Sequence, residues 1–171
     1  MERNKKLKFT SLLVLLFVII ILCFNLSGCG ILYRALFKSH IRFSQDYSEI
    51  STIQIVKLTA INRNLDGPPE QTVLTTISDI EQFYSELNSL SAYSNEPNGI
   101  SYDCTAVKII YKDGEYDLFH SHGQSKYTKE YGFERDIGLV YIDKVQFYKL
   151  LSKYLGYTVD PEVDLQDYWT S

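Results

Sequence analysis

The sequence is poor in the groups that announce chemistry. It has only three cysteines in 171 residues, too few for a disulfide framework, so stability has to come from a buried core. No Gly-x-Ser-x-Gly, phosphate-cradling glycine loop or His-Glu-x-x-His occurs. That removes the usual signatures of serine hydrolases, nucleotide-binding folds and zinc proteases. Basic side chains are outnumbered by acidic ones, 17 against 21. An acidic chain has no electrostatic means of holding a phosphate backbone, and no nucleic-acid partner is expected. Charge of either sign is missing altogether between Lys8 and Arg34.

The uncharged stretch follows a basic head. Residues 1–8 read MERNKKLK and residues 9–24 read FTSLLVLLFVIIILCF, followed by Leu26-Ser27-Gly28-Cys29. A charged start, an apolar run and small residues before a cut site make a secretory signal. Leu26-Ser27-Gly28-Cys29 resembles the lipobox of bacterial lipoproteins, with Cys29 at its invariant cysteine. The resemblance covers residues 1–29 and is to the small lipoproteins of low-GC Gram-positive bacteria. It implies diacylglycerol on the Cys29 sulfur, with palmitate-type chains, and cleavage before that residue. The protein would then be held in the cell membrane by lipid, on the extracytoplasmic face. The alternative is an uncleaved single-pass anchor, since the same run meets the need of about 20 apolar residues for a bilayer and Ile31, Leu32 and Tyr33 prolong it. In both cases Arg3, Lys5, Lys6 and Lys8 stay on the cytoplasmic side and the rest lies outside.

The chain therefore divides into a signal at 1–28, a membrane-proximal tether at 29–50 and one globular domain at 51–171. Without residues 1–28, 13 basic and 20 acidic side chains remain, and the net charge moves from −4 to −7. Arg34, Lys38 and Arg42 recur at four-residue spacing opposite Ile31, Leu32, Ala35 and Leu36. A short amphipathic helix on anionic lipid has that pattern; an unstructured tether is the alternative. Cys23 leaves with the signal and Cys29 carries lipid, so Cys104 has no cysteine to pair with.

Two segments share helix-start chemistry. Asp79-Ile-Glu-Gln-Phe-Tyr-Ser-Glu-Leu87 and Asp143-Lys-Val-Gln-Phe-Tyr-Lys-Leu-Leu151 match at five of nine positions, 64 residues apart. In each, the Asp caps orphan backbone N–H groups, and a Gln three residues on can reach back to the cap. Apolar stripes follow at helical spacing, Ile80, Phe83, Tyr84, Leu87, Leu90 and then Phe147, Tyr148, Leu151, Tyr154, Leu155, with Gly156 as a stop. Strand-like runs occupy residues 53–58, 72–77, 105–112, 115–121 and 137–142, with turn-rich sequence from Asn62 to Pro69. The order β-β-α-β-β-β-α predicts an α+β fold, a two-layer sandwich with a largely antiparallel sheet and two helices on one face.

Asp113-Gly114 is a hairpin signal. A two-residue turn would set Tyr111 against Tyr116 and Ile109 against Leu118, keeping apolar residues together. A three-residue turn would set Ile109 against Asp117, a mismatch that favours the shorter one. In that register His120 and His122 share the helix-covered face, where Glu130, Glu134 or Asp136 could complete a metal site, with His40 remote in sequence; two histidines are one or two ligands short. Cys104 would lie on the other face from His122, separating a Cys–His pair. The segment 125–136 reads as a polar loop carrying Tyr127, Tyr131 and Phe133, suited to an envelope glycan or protein partner. The acidic stretch 160–167, near Trp169, reads as a loosely packed end. The sequence thus predicts a membrane-anchored binding or interaction module of the cell envelope, with no cofactor and no catalytic role. The alternative of another class is an envelope hydrolase or metal-dependent enzyme using His120 and His122.

Overall fold

The computed structural model describes residues 38–59, 68–94, 104–121, 123–134 and 140–161. The signal, Arg34, Cys29, the turn at 62–67, His122, Asp136, residues 137–139 and the tail from 162 lie outside them. Among the described residues, no helix is long and apolar enough to cross a membrane.

A compact unit begins at Lys38. Its elements in chain order are β1 (Lys38–Ser39), a 3-10 turn (Tyr47–Glu49), β2 (Ile50–Thr59), β3 (Glu70–Thr76), α1 (Ile80–Asn88), β4 (Ala92–Ser94), β5 (Thr105–Tyr111), β6 (Tyr116–His120), β7 (Gly123–Thr128), β8 (Gly132–Glu134), β9 (Val140–Ile142) and α2 (Lys144–Leu155). Among the described residues the strands form an antiparallel six-stranded sheet, ordered β3-β2-β5-β6-β7-β8, and a small sheet ordered β1-β4-β9.

The α+β sandwich expected from the sequence is the fold observed. Ile53 and Ile55 of β2, Val107, Ile109 and Tyr111 of β5 and Phe119 of β6 point to one side of the large sheet, where they join Phe83 and Leu87 of α1 and Phe147, Tyr148, Leu150 and Leu151 of α2 in one buried core. Alternation in the strands and a 3.6-residue stripe on the helices bring these residues together. Both caps form as expected: Asp79 accepts from Gln82 N at 2.9 Å and Asp143 from Gln146 N at 3.1 Å. The reach-back from the two glutamines is not made, because Gln82 donates to Glu86 and Gln146 accepts from Ser91 N. Gly156 closes α2 in the left-handed region, at φ 75°.

The hairpin register differs from the expected one. Tyr111 N donates to Glu115 O and Gly114 N donates to Tyr111 O, both at 2.9 Å. The turn therefore has three residues, a type I turn ending on Gly114 at φ 88°. Asp113 selects it: its carboxylate accepts from Glu115 N at 2.9 Å and from Gln45 Nε2 at 2.7 Å. Ile109 now faces Asp117, and Val107 faces Phe119. Side chains of β6 are on the opposite face from that predicted, His120 included.

The expected amphipathic helix is also absent at the described end of its span, since Lys38 lies in β1 and residues 40–43 belong to no helix. Ile41 and Phe43 enter the core rather than a tether.

Candidate functional site

On the side turned away from the helices, the large sheet carries a second, smaller cluster. Val56, Leu58, Cys104, Ala106 and Leu118 are buried there, with Tyr116 and Phe133 packed against them. Over it runs a row of half-buried side chains from neighbouring strands. Lys108 of β5 holds its amine 4.1 Å from the centre of the Tyr116 ring. Tyr116 of β6 stacks on Tyr127 of β7 with centroids 5.2 Å apart and planes 12° from parallel. Tyr127 in turn pairs with Phe133 of β8. Cross-strand neighbours share a face, so the register alone produces this ladder.

Burial sets the electrostatics of the row. It lowers the Lys108 ammonium below its ordinary range and raises the Tyr116 phenol, because both charged forms lose water. The Tyr116 oxygen accepts from Gln71 Nε2 at 3.3 Å. A cation over a ring face and two parallel phenols offer a ligand apolar area with hydroxyls at its rim.

The candidates named from the sequence separate here. Tyr127 and Phe133 belong to the row. Tyr131 sits in the β7–β8 turn, 68% exposed. The segment expected to be a loop is therefore largely a hairpin, and Lys126 binds Glu134 across it at 2.8 Å. That contact occupies one of the carboxylates considered as a metal ligand, while Glu130 is solvent-exposed in the turn. Among the described residues no group of three or more His, Cys, Asp or Glu is gathered as a metal site. His40 is exposed at the start of the unit.

His120 and Cys104 are both fully buried, and the revised register puts them on the same face as Leu118. The pair weighed from the sequence was Cys104 with His122, and His122 lies outside the described residues. A thiol shut away among apolar side chains is nevertheless inert toward a solvent-borne substrate.

A polar group not singled out by the sequence analysis lies on the helix side. Asp117 is fully buried. Its Oδ2 accepts from Ser44 N at 2.8 Å and from Tyr111 Oη at 2.5 Å, and its Oδ1 accepts from Ser44 Oγ at 2.5 Å. Burial raises its carboxyl above the ordinary carboxylate range, while the bonds from Ser44 and Tyr111 oppose that shift. Burial and the Asp117 charge push the Tyr111 phenol far up. The network ties the segment after β1 to the sheet, and Gln124 Nε2 adds a bond to Arg42 O at 2.6 Å. The one signal in the sequence was the mismatch itself, an aspartate placed opposite Ile109.

The helical layer has its own cleft of about 410 Å³, lined by Glu86, Leu90, Gln146, Lys149, Leu150 and Lys153. Lys153 reaches both oxygens of Glu86 at 2.6 and 2.7 Å, so the cleft has no uncompensated carboxylate at that pair. Comparison with protein-family models, with curated proteins and with solved structures returns no match.

Proposed function

We propose that this protein is a lipid-anchored, extracytoplasmic binding module of the cell envelope, which meets its partner, an envelope glycan or protein, over the Lys108, Tyr116, Tyr127 and Phe133 row. The observation that carries the anchor is Leu26-Ser27-Gly28-Cys29, set after a basic head and an apolar run. What supports binding over catalysis is the burial of His120 and Cys104 on the face that carries the half-buried aromatic row. Rigid aromatic side chains supply contact area at little entropic cost.

Both parts can be tested in one strain. Wild-type chain grown with labelled palmitate should take up label and lose the mass of residues 1–28, and Cys29→Ser should do neither. Label and processing that persist in Cys29→Ser would overturn the anchor. A photo-crosslinking amino acid at position 127 should give a discrete adduct in intact cells, and the same probe at Val145, 75% exposed on α2, should give none. Equal adducts at both positions, or none at 127, would remove the row from the proposal.

A further inference from the structure

We propose that the outer unit presents one defined face to the bilayer: the outward side of β1-β4-β9 together with the segment that follows β1, as a contact surface for anionic lipid headgroups. The proposal rests on Cys29 being the lipid anchor.

Three independent features point the same way. The first is register. Lys38 pairs with Tyr93, and Tyr93 with Tyr141, so these three share a side of the small sheet, while Ala92 and Ile142 on the other side are buried in the main core. Beyond β1 burial alternates along the chain: Lys38, His40 and Arg42 are exposed, whereas Ile41 is buried and Phe43 packs inward on Tyr84 and Phe119, at 4.5 and 5.3 Å. Lys38 thus lies beside two half-buried tyrosines, and His40 and Arg42 follow it as exposed side chains. Amphipathic rings and basic side chains are the residues that suit a headgroup layer.

The second is the distribution of charge. Residues 29–45 hold Arg34, Lys38 and Arg42 and no acid, a net +3, whereas residues 46–171 hold 10 basic and 20 acidic side chains, a net −10. An anionic surface attracts the first part and repels the second, within a Debye length of about 8–10 Å. Along the chain, positive charge is thus concentrated next to the anchor.

The third is reach. Only residues 30–37 separate Cys29 from Lys38, so the two lie at most about 32 Å apart even with that chain fully extended. The tether is thus short, and the network around Asp117, Ser44 and Gln124 keeps the segment after Lys38 in place on the sheet.

The test uses the full-length lipidated chain in vesicles of phosphatidylcholine alone or with phosphatidylglycerol, read by the rate at which a membrane-impermeant reagent acylates Lys38 relative to Lys149, which is exposed on α2. Phosphatidylglycerol should slow Lys38 roughly fivefold relative to Lys149, high salt should reverse this, and Arg42→Glu should remove most of it. Equal ratios in both lipids, whether Lys38 is protected or not, overturn a charge-directed contact. Flotation with the vesicles in high salt separates the two levels: a chain that does not float overturns the anchor, and this proposal with it. A chain that floats, but whose Lys38 at low salt reacts no more slowly relative to Lys149 with phosphatidylglycerol than without it, overturns the contact surface alone.

Discussion

Asp117→Ala is expected to lower the unfolding free energy of the outer unit by about 2–3 kcal/mol at pH 7, measured by denaturant titration. The carboxylate accepts from Tyr111 Oη, Ser44 N and Ser44 Oγ, and truncation strands all three donors. Tyr111 dominates the cost, because its side chain is 1% exposed and water cannot replace the lost acceptor. Ser44 is exposed and recovers part of its loss from solvent. Removing the stranded hydroxyl as well, in Asp117→Ala with Tyr111→Phe, should return about 1–2 kcal/mol relative to additivity. Strict additivity would show that the network contributes nothing as a unit.

The same group sets a pH dependence whose sign is fixed by burial. The folded Asp117 carboxyl lies above its unfolded value, chiefly through desolvation. A raised carboxyl binds its proton more readily in the folded state. Its stabilisation is therefore fully present below the unfolded value and is lost as pH rises through the folded one. Wild type carries this term and Asp117→Ala does not, so the gap between them should widen as pH falls from 7 toward about 4. A gap that narrows on acidification would mean that the donors outweigh burial.

How far the sequence could be read is clearest at this aspartate. Helix starts, helix stripes and the strands at 50–59, 105–111 and 116–120 follow from local chemistry, and those parts of the sandwich were legible. The hairpin register was not, because Asp-Gly serves both the two-residue and the three-residue turn and the choice was made by matching apolar neighbours. That criterion assumes a buried carboxylate has no donors, yet its donors include Ser44, 73 residues away. The aromatic row was half legible: Tyr127 and Phe133 stood out, but Tyr116 and Lys108 join them only in the true register. The β7–β8 hairpin was hidden because Lys126 and Glu134 alternate with aromatics on a sheet with both faces occupied, so the segment looked like a polar loop. Strands of two or three residues, such as β1 and β4, are too short for any period to show, whereas β9 falls within the strand-like run read at 137–142.

Phe147→Ala should cost about 3–5 kcal/mol, a large share of the 5–15 kcal/mol that typically holds a domain together. The ring is fully buried in the main core with Phe83, Leu87, Ile53 and Val107, and closed packing leaves little room for collapse around the void. Phe83→Ala at the matching position of α1 should cost a similar amount, since Phe83 is equally buried and also loses its edge-on contact with Tyr154, at 4.7 Å between ring centres. Val145 provides the control on the same helix, two residues from Phe147 but 75% exposed. Val145→Ala should change stability by no more than about 0.5 kcal/mol. All three are measured by denaturant unfolding of the same full-length chain in detergent. If Phe147→Ala costs less than about 1 kcal/mol while α2 keeps its helical signal, α2 is not packed on the sheet through this face, and the two-layer arrangement of the core is wrong.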